Sequence, residues 1–379
     1  MSPPSDDKNR MRPSVVGAGL IVLDIVFNSD SDDDLSSYTG GTCGNILSIL
    51  SFLGWDAYPV ARLNGDAASR RVKADMRQWG VHLDFAECEP TTDTPIIVQT
   101  IERNERSGAY HRFGWYCPFC GHILPRFKSV TMDAVGPLSK AMGTPRVFFL
   151  DRLSPASLEL ARIAAERGAV VVFEPSGKTP ARLFAKALGL AHIVKYSEER
   201  FGSLREVSDR RQAGFLEIQT LGGKGLRYRN QFRKSISPPG WKHLEGYRLS
   251  EVTDTCGAGD WCTAGFIDNL CRNGLKELLA AASSDIEEAL RYGQALAAWN
   301  CGFEGARGGM YCTNKATFHR RVSEILGGSQ PRKLPNAMVN KDSKIAGRIC
   351  PACEKVPAAS GMGTGRNRRL VRPANRKIG

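Results

Sequence analysis

The residues at 254–260 read DTCGAGD and stand directly before the apolar segment WCTAGFIDNL. Gly257 and Gly259 flank Ala258, and glycines let a backbone approach a ligand closely. A helix that begins there presents unpaired N–H groups and the positive end of its dipole, which together favour an anion. Asp260, in the first turn, can accept a proton from an incoming hydroxyl group. The pattern predicts phosphoryl transfer to an alcohol, with Asp260 as base beside a backbone anion hole.

The same seven residues also fit a structural role, as a glycine turn before a helix with an aspartate near its cap. Other ligand-binding patterns are absent or incomplete. No P-loop is present, because Gly225 rather than serine or threonine follows Lys224. Gly17-Ala18-Gly19 lacks the third glycine of a dinucleotide site. The acidic run at 30–34 lacks the spacing of a calcium loop and predicts a solvated loop.

Two cysteine pairs have the spacing of metal-binding turns, Cys117-Pro-Phe-Cys120-Gly-His and Cys350-Pro-Ala-Cys353. Proline and glycine beside two such cysteines shape a turn that directs both sulfurs at one ion. Together the pairs offer four thiolates, the number that a tetrahedral structural zinc site needs. We expect one zinc ion that pins the C-terminal tail against the insertion carrying the first pair. A redox pair, or two half-sites completed by another subunit, is the alternative.

Alternating β-rich and helix-like runs must position these groups. Strands that alternate with helices predict a largely parallel sheet with helices on both faces. The predicted strands are 15–26, 57–63, 95–102, 147–150, 169–173, 191–195 and 215–220. The predicted helices are 44–53, 67–79, 154–167, 180–188, 259–272 and 285–300. The pattern is broken at 104–128, which is polar and aromatic, and after Leu326, where Gly, Ser, Pro, Lys and Arg dominate.

Two further motifs lie in order along the chain: GGTCGN at 40–45 before a predicted helix, and TLGGKG at 220–225 after a predicted strand. Together with DTCGAGD they resemble the ribokinase (PfkB) family of sugar and nucleoside kinases over about residues 15–326. The resemblance implies an α/β fold, a ribokinase-like three-layer sandwich with a mainly parallel central sheet. It also implies a small β lid, to which this chain adds a zinc-knuckle insertion.

The resemblance implies the reaction and the site residues as well. An ATP-dependent kinase would phosphorylate a hydroxyl group of a sugar or sugar derivative, or of a nucleoside, with ATP and Mg²⁺ and a monovalent cation as a further option. The implied catalytic residues are Asp260 with Gly257, Ala258 and Gly259. The implied nucleotide and magnesium residues are Ser197, Glu199, Thr220, Gly222, Gly223, Gly225 and Asn300. The implied acceptor residues are Asp24, Gly41, Asn45 and Asp151.

One motif departs from the family pattern. Where relatives carry N-x-x-E, this chain has Ser197-Glu198-Glu199-Arg200, so that arginine replaces the glutamate that helps to organise magnesium. Glu199 can substitute by a small shift. The base and the anion hole are retained, and the sequence therefore predicts an active kinase.

The charge of the chain is concentrated at its end. The 379 residues carry a formal net charge of +13, yet 12 Lys or Arg against 2 acids give residues 327–379 alone +10. With 42% hydrophobic and 24% charged residues, a fibrous or wholly disordered chain is excluded. The basic tail and the zinc pairs leave one alternative of another class, a kinase-derived nucleic-acid-binding or regulatory protein.

The predicted organisation has three parts: a disordered N-terminus at 1–13, a kinase-like domain at 14–326 and a basic tail at 327–379. The lid and the first cysteine pair fall near 95–128. No apolar run approaches the roughly 20 residues that cross a bilayer, and the N-terminus lacks the apolar core of a signal peptide, so we expect a cytoplasmic protein without membrane contact. The expected partner is a small-molecule sugar or nucleoside. Pairing of lids into a homodimer is a further option.

Overall fold

The computed structural model describes residues 11–28, 35–63, 65–86, 92–104, 108–117, 120–175, 179–201, 215–232, 240–329 and 350. Most of the predicted N-terminal segment and of the basic tail lies outside these residues, as does the acidic run at 30–34.

Twelve strands are found in the described part of the chain, and they form two sheets. In chain order they are β1 (Ser14–Ala18), β2 (Val22–Asn28), β3 (Leu35–Gly40), β4 (Asp56–Val60), β5 (Ile96–Asn104), β6 (Gly108–Gly114), β7 (Val147–Leu150), β8 (Val170–Phe173), β9 (Ile193–Ser197), β10 (Leu216–Thr220), β11 (Leu226–Asn230) and β12 (Lys242–Leu244).

Ten α-helices accompany these strands within the described residues. They are α1 (Thr42–Phe52), α2 (Ala67–Gln78), α3 (Val135–Ala141), α4 (Pro155–Glu166), α5 (Ala181–Leu190), α6 (Ala258–Leu270), α7 (Leu275–Ala280), α8 (Ser283–Asn300), α9 (Gly308–Cys312) and α10 (Lys315–Leu326).

The larger sheet has eight strands in the order β12-β11-β10-β9-β8-β7-β1-β4. The six strands from β10 to β4 run parallel; β11 pairs antiparallel with β10, and β12 pairs antiparallel with β11. Because the strands are parallel, their carboxyl ends meet at one edge, where ligands of open α/β sheets bind. The predicted mainly parallel central sheet is confirmed.

Helices cover both faces of this sheet, because successive strand residues point to opposite sides. In β7, Val147 and Phe149 pack in one core with α1, α6 and α8, whereas Phe148 and Leu150 pack in the other with α3, α4 and α5. All four side chains are fully buried. The predicted α/β sandwich with helices on both faces is therefore confirmed.

The smaller sheet, which we call the lid, has four strands in the order β3-β2-β5-β6. The chain leaves the larger sheet between β1 and β2 to form the first lid strands, and it returns to the body at Gly41, the one residue between β3 and α1. The prediction of one strand at 15–26 was wrong, since the chain changes sheets near Gly19. Strands β3, β6, β11 and β12 and helices α3, α7, α9 and α10 were not predicted from the pattern.

No helix among the described residues combines the length and the apolar character needed to cross a membrane.

Helices α6 and α8 cross where a glycine stands on each. A Cβ atom on Gly293 would lie 2.5 Å from the carbonyl oxygen of Cys262, and one on Gly265 would lie 2.6 Å from the Cα atom of Gly293. Because backbone atoms fill the space, neither helix can accept a side chain there without moving apart.

We therefore expect Gly293→Ala to lower the free energy of unfolding by about 1–3 kcal/mol, the usual cost of overpacking. Denaturant unfolding measures it. The matched control is Gly136→Ala in α3, where an added Cβ meets open space and removal of a helical glycine stabilises by up to about 1 kcal/mol. A Gly293→Ala protein as stable as the wild type would contradict the close crossing.

Candidate active site

The start of α6 is fixed by a left-handed glycine. Gly257 has φ of 73° and ψ of −2° and caps the helix. A Cβ atom there would lie 2.3 Å from the carbonyl oxygen of Ala306, so that no other residue fits. The first helical hydrogen bond runs from the Trp261 amide to the Gly257 carbonyl at 2.9 Å, which places the amides of residues 258–260 before the helical ladder. Of these, the Ala258 amide donates to the Thr255 carbonyl at 3.2 Å.

Two buried polar side chains hold the turn before α6. Asp254 accepts hydrogen bonds from the amides of Cys256 and Gly305, both at 2.8 Å. Asn300 donates to the carbonyls of Gly305 and Ala306 at 3.3 and 3.2 Å. Asn300 is fully buried, and its amide is committed to the backbone. The geometry therefore favours a positioning role for Asn300 over the nucleotide contact expected from the sequence.

The carboxylate of Asp260 faces the helix that follows the lid. Asn45 Nδ2, in the first turn of α1, donates to Asp260 Oδ2 at 2.7 Å. Asn45 Oδ1 is buried and has no hydrogen-bond partner among the described residues. Burial and, after it, the charge of Glu174 raise the pKa of Asp260 to about 7, while Asn45, Lys195 and Arg200 act in the opposite direction. This carboxylate is thus poised to exchange a proton near neutrality.

A buried ion pair lies beneath the same helix start. Lys195 in β9, 1% exposed, donates to Glu174 Oε1 at 2.8 Å, and the hydroxyl of Thr263 donates to Glu174 Oε2 at 2.7 Å. Burial disfavours the ammonium of Lys195, but the carboxylate of Glu174 outweighs it and raises the Lys195 pKa. Lys195 Nζ lies 3.6 Å from the position that a Cβ atom on Gly259 would take. A fixed positive charge therefore stands beside the predicted anion hole.

The predicted acceptor residues of the lid lie on the other side of Asp260. Asp24 in β2 packs against Gly40, where a Cβ atom would fall 1.7 Å from Asp24 Oδ2. Burial raises the pKa of Asp24 to about 7, with Arg307 opposing and Asp260 reinforcing the shift. Gly41, with φ of 81°, passes so close to the Leu20 carbonyl that a Cβ atom would lie 2.3 Å from its oxygen.

Arg307 completes this side of the site. It is 2% exposed, and it donates to the Thr39 carbonyl and to Asp75 Oδ2, both at 2.7 Å. Tyr311 donates to the other oxygen of Asp75 at 2.7 Å. Burial works to raise the pKa of Asp75, but Arg307 and these hydrogen bonds lower it on balance, so the pair remains ionised.

Asp151, at the carboxyl end of β7, is buried and holds the backbone of the connection between β1 and β2. Its Oδ1 accepts from the Leu20 amide at 2.9 Å, and its Oδ2 pairs with Arg152 Nη1 at 3.0 Å. Burial raises the pKa of Asp151, and Arg152 counteracts that rise. The charges of Asp151, Arg152 and Asp260 all act on the buried thiol of Cys43. Asp151 and Cys43 are neighbours, since a Cβ atom on Gly19 would lie 1.7 Å from Asp151 Oδ1 and 2.9 Å from Cys43 Cβ.

A small cavity, partly open to solvent, lies beside Arg152, the neighbour of Asp151. Its lining includes Gly19, Arg62, Lys128, Ser129, Arg152 and Ser157. Arg62 donates to the Ser129 carbonyl at 3.3 Å, and Lys128 is exposed at the rim. Three cationic side chains, Arg62, Lys128 and Arg152, and the carboxylate of Asp93 thus border one cavity next to the predicted acceptor residues.

The predicted nucleotide residues lie at the carboxyl ends of β9 and β10. Ser197 and Thr220 are paired across these parallel strands, and Glu199 is exposed just beyond them. Gly222 and Gly223 face open space. Gly225 is different, because a Cβ atom there would lie 2.2 Å from the Leu244 carbonyl oxygen, so its glycine is required by the packing of β12.

The cysteines predicted to bind metal come together only in part within the described residues. The sulfur atoms of Cys117, Cys120 and Cys350 lie within 4.8 Å of one another. Cys353 lies outside the described residues.

Two ion pairs were not predicted from the sequence. Lys195 and Glu174 carried a signal, since a lone lysine inside IVKYS and a glutamate directly after VVVF put one charge within an apolar strand and one directly after another. Arg307 and Asp75 carried none, because they stand 232 residues apart in irregular and helical sequence. Only the folded chain shows that they meet beside Asp24.

Comparison with known proteins places this geometry among kinases. A model of the PfkB family of carbohydrate kinases matches residues 12–311. A curated relative, an ATP-dependent ribose-1-phosphate kinase from Halopiger xanaduensis, is 22% identical over 306 residues, covering 77% of this chain and 93% of its own length.

Solved structures share the fold. The ribokinase of Arabidopsis thaliana, complexed with ribose and ATP, is 19% identical with a TM-score of 0.59, covering 83% of this chain and 99% of its own. The ribokinase of Giardia lamblia is 16% identical with a TM-score of 0.63, and the match covers 83% of this chain and 98% of the Giardia chain. The predicted ribokinase-like fold, with its small lid, is confirmed.

The raised pKa of Asp260 has a consequence for stability. When a carboxyl group has a higher pKa in the folded than in the unfolded state, the free energy of unfolding falls as pH rises between the two pKa values. We therefore expect Asp260→Asn to raise the free energy of unfolding, and to raise it more at pH 8 than at pH 5, where much of the wild-type penalty is absent.

Denaturant unfolding at the two pH values measures this gain. The matched control is Asp84→Asn on the exposed surface, for which a smaller change is expected. A variant that is less stable than the wild type at pH 8 would show that the carboxylate is held by favourable contacts instead.

Proposed function

Because the chain belongs to the PfkB family of carbohydrate kinases, we propose that it transfers a phosphoryl group from ATP to a hydroxyl group of a sugar derivative, with Asp260 as the base. The observation that carries the proposal is the position of Asp260 in the first turn of α6, bonded to Asn45 at 2.7 Å. A proton acceptor beside the amides of a helix start is what this transfer needs.

Asp260 would take the proton of the acceptor hydroxyl as its oxygen attacks phosphorus. The O–H bond breaks and an O–P bond forms, while the bond to the leaving ADP breaks. A pKa of about 7 suits a base that works near neutrality. Asn45 Oδ1, which is buried without a partner among the described residues, can accept from a neighbouring hydroxyl of the acceptor. One side chain would thereby orient both the base and the substrate.

The migrating negative charge would be met by fixed positive groups. The amides of Gly257 and Gly259 stand at the start of α6, and Ala258 contributes by giving up its 3.2 Å bond to the Thr255 carbonyl. Lys195, whose Nζ lies 3.6 Å from the Cβ position of Gly259, adds a cationic group, and Glu174 holds it and partly balances its charge at 2.8 Å. Apart from the Ala258 amide, these groups are in place before the reaction and need no rearrangement during it.

Magnesium supplies further neutralisation on phosphate oxygens when bound. The carboxylate of Glu199 is exposed beside Ser197 at the strand ends, which suits an ion that keeps several of its waters. Arg200, at the place where the family has glutamate, exerts its positive charge on Asp260. We infer that Glu199 is the residue of this motif that serves the ion.

We expect Asp260→Asn to lose about 10²–10⁴ in turnover, the usual effect of removing a positioned base, while it still folds and binds ATP. In the wild type, kcat/KM should rise with pH through about 7 as Asp260 loses its proton. Steady-state kinetics across pH measures both.

The matched control is Asp268→Asn on the same helix. The carboxylate of Asp268 accepts a hydrogen bond from Trp55 Nε1 at 2.8 Å and pairs with Arg272. The pH profile of this variant should match that of the wild type. Unchanged turnover in Asp260→Asn would refute the assignment of the base.

The cavity beside Arg152 bears on the acceptor. Arg62, Lys128 and Arg152 border it, and a phosphate group is the ligand that clustered cations favour. The relative from Halopiger xanaduensis is named a ribose-1-phosphate kinase. We infer that the acceptor is a phosphorylated sugar whose phosphate lies in this cavity, in preference to a free sugar or a nucleoside.

A panel of ribose, ribose phosphates and nucleosides, assayed by ADP release, should favour a phosphorylated sugar. Lys128→Gln should raise the KM for that acceptor by roughly 10–100-fold, the loss of one charged hydrogen bond, with the KM for ATP unchanged. The matched control is Lys140→Gln on exposed α3. A preference for ribose or a nucleoside would overturn the acceptor class and leave the kinase assignment intact.

A further inference from the structure

The first cysteine pair occupies a tight hairpin after the lid. Tyr116 and Ile123 form a β-bridge across it. The Gly121 amide donates to the Cys117 carbonyl and the Cys117 amide to the His122 carbonyl, both at 2.8 Å. Gly121 adopts φ of 70°, which lets the chain reverse within the turn. The two cysteines are thereby turned toward the same side.

The hairpin is anchored to the base of the lid. The Leu124 amide donates to the Trp115 carbonyl at 2.8 Å, and the Ile96 amide, at the start of β5, donates to the Pro125 carbonyl at 3.1 Å. Leu124 is buried, as is Cys117. The turn is therefore fixed to the start of β5 and is not an independent loop.

A third cysteine reaches this turn from 230 residues further along the chain. Cys350 is buried, with 3% of its surface exposed, in the same apolar core as Cys117. Its sulfur lies 3.7 Å from the sulfur of Cys120, and the three sulfurs lie within 4.8 Å of one another. Among the His, Cys, Asp and Glu side chains of the described residues, these three cysteines form the group that is placed to hold a metal ion.

The distances fit a metal ion better than a covalent bond. Two thiolates on a tetrahedral zinc ion, each about 2.3 Å from it, stand about 3.8 Å apart. A disulfide would bring the sulfurs to about 2.05 Å. Three sulfurs converging on one point, two of them in buried residues, are also more than a redox pair uses.

We propose that Cys117, Cys120 and Cys350 ligate a structural zinc ion that fastens the C-terminal tail to the base of the lid. Soft thiolate ligands select zinc over the magnesium that serves ATP. The lid-side turn is shaped by its own hydrogen bonds, and the ion fixes the distant segment onto it. Cys353, the fourth ligand expected from the sequence, lies outside the described residues, and the proposal rests on the other three.

The test uses the full chain, produced in zinc-supplemented medium and purified without chelators. Elemental analysis should find one zinc ion per chain, and Cys350→Ser and Cys120→Ser should lose most of it. The matched control is Cys312→Ser, a half-buried cysteine outside the cluster, which should keep the metal. Full zinc content in Cys350→Ser would overturn the proposal.

Two measurements on the wild type remain decisive if a variant does not fold. Cobalt in place of zinc should give the thiolate charge-transfer and visible bands of a tetrahedral sulfur site. Zinc removal should lower the Tm and expose the cluster thiols to alkylation. Metal-free protein whose thiols are all alkylated in the native state, or a mass that shows a disulfide among these cysteines, would refute the zinc site.

Discussion

A carboxylate has to stay ionisable at the start of α6, in a place where burial and neighbouring acids oppose its charge. Burial and Glu174 together raise the pKa of Asp260 to about 7. Asp24 stands nearby with a pKa raised in the same way, partly by Asp260 itself. Three acids in one partly buried region would repel one another without compensation. The cations and amides around them are therefore a condition for the site to exist.

That compensation comes from residues distant in sequence. Lys195 in β9 pairs with Glu174, which directly follows β8, and the hydroxyl of Thr263 in α6 donates to the other oxygen of Glu174. On the lid side, Arg307 is fixed by Asp75. Each cation touches elements from different parts of the fold. The charge balance of the site thus depends on the complete assembly of sheet, helices and lid, and an incompletely folded chain would not hold it.

The sequence predicted those parts whose signal is local. The glycine motif before α6, the alternation of strands and helices, and the place of Asp260 in the first turn of α6 followed from residue types and spacing, and Asn45 followed from the resemblance to the PfkB family. The break between β1 and β2 could not be seen, because the apolar run continues while the chain changes sheets. Helix α10 carried a readable pattern, with Phe318, Val322 and Ile325 buried at helical spacing. Contacts such as Arg307 with Asp75 require the tertiary fold.

A single residue, Gly41, connects the lid to α1. Strand β3 ends at Gly40 and α1 begins at Thr42, and the Gly44 amide holds the Leu20 carbonyl at 3.2 Å across this joint. The connection has no slack, so a rotation of the lid must either turn the backbone torsions of Gly41 or carry the first turn of α1 with it. Asn45, which donates to Asp260, belongs to that turn. The position of the lid and the orientation of the proton acceptor are therefore coupled.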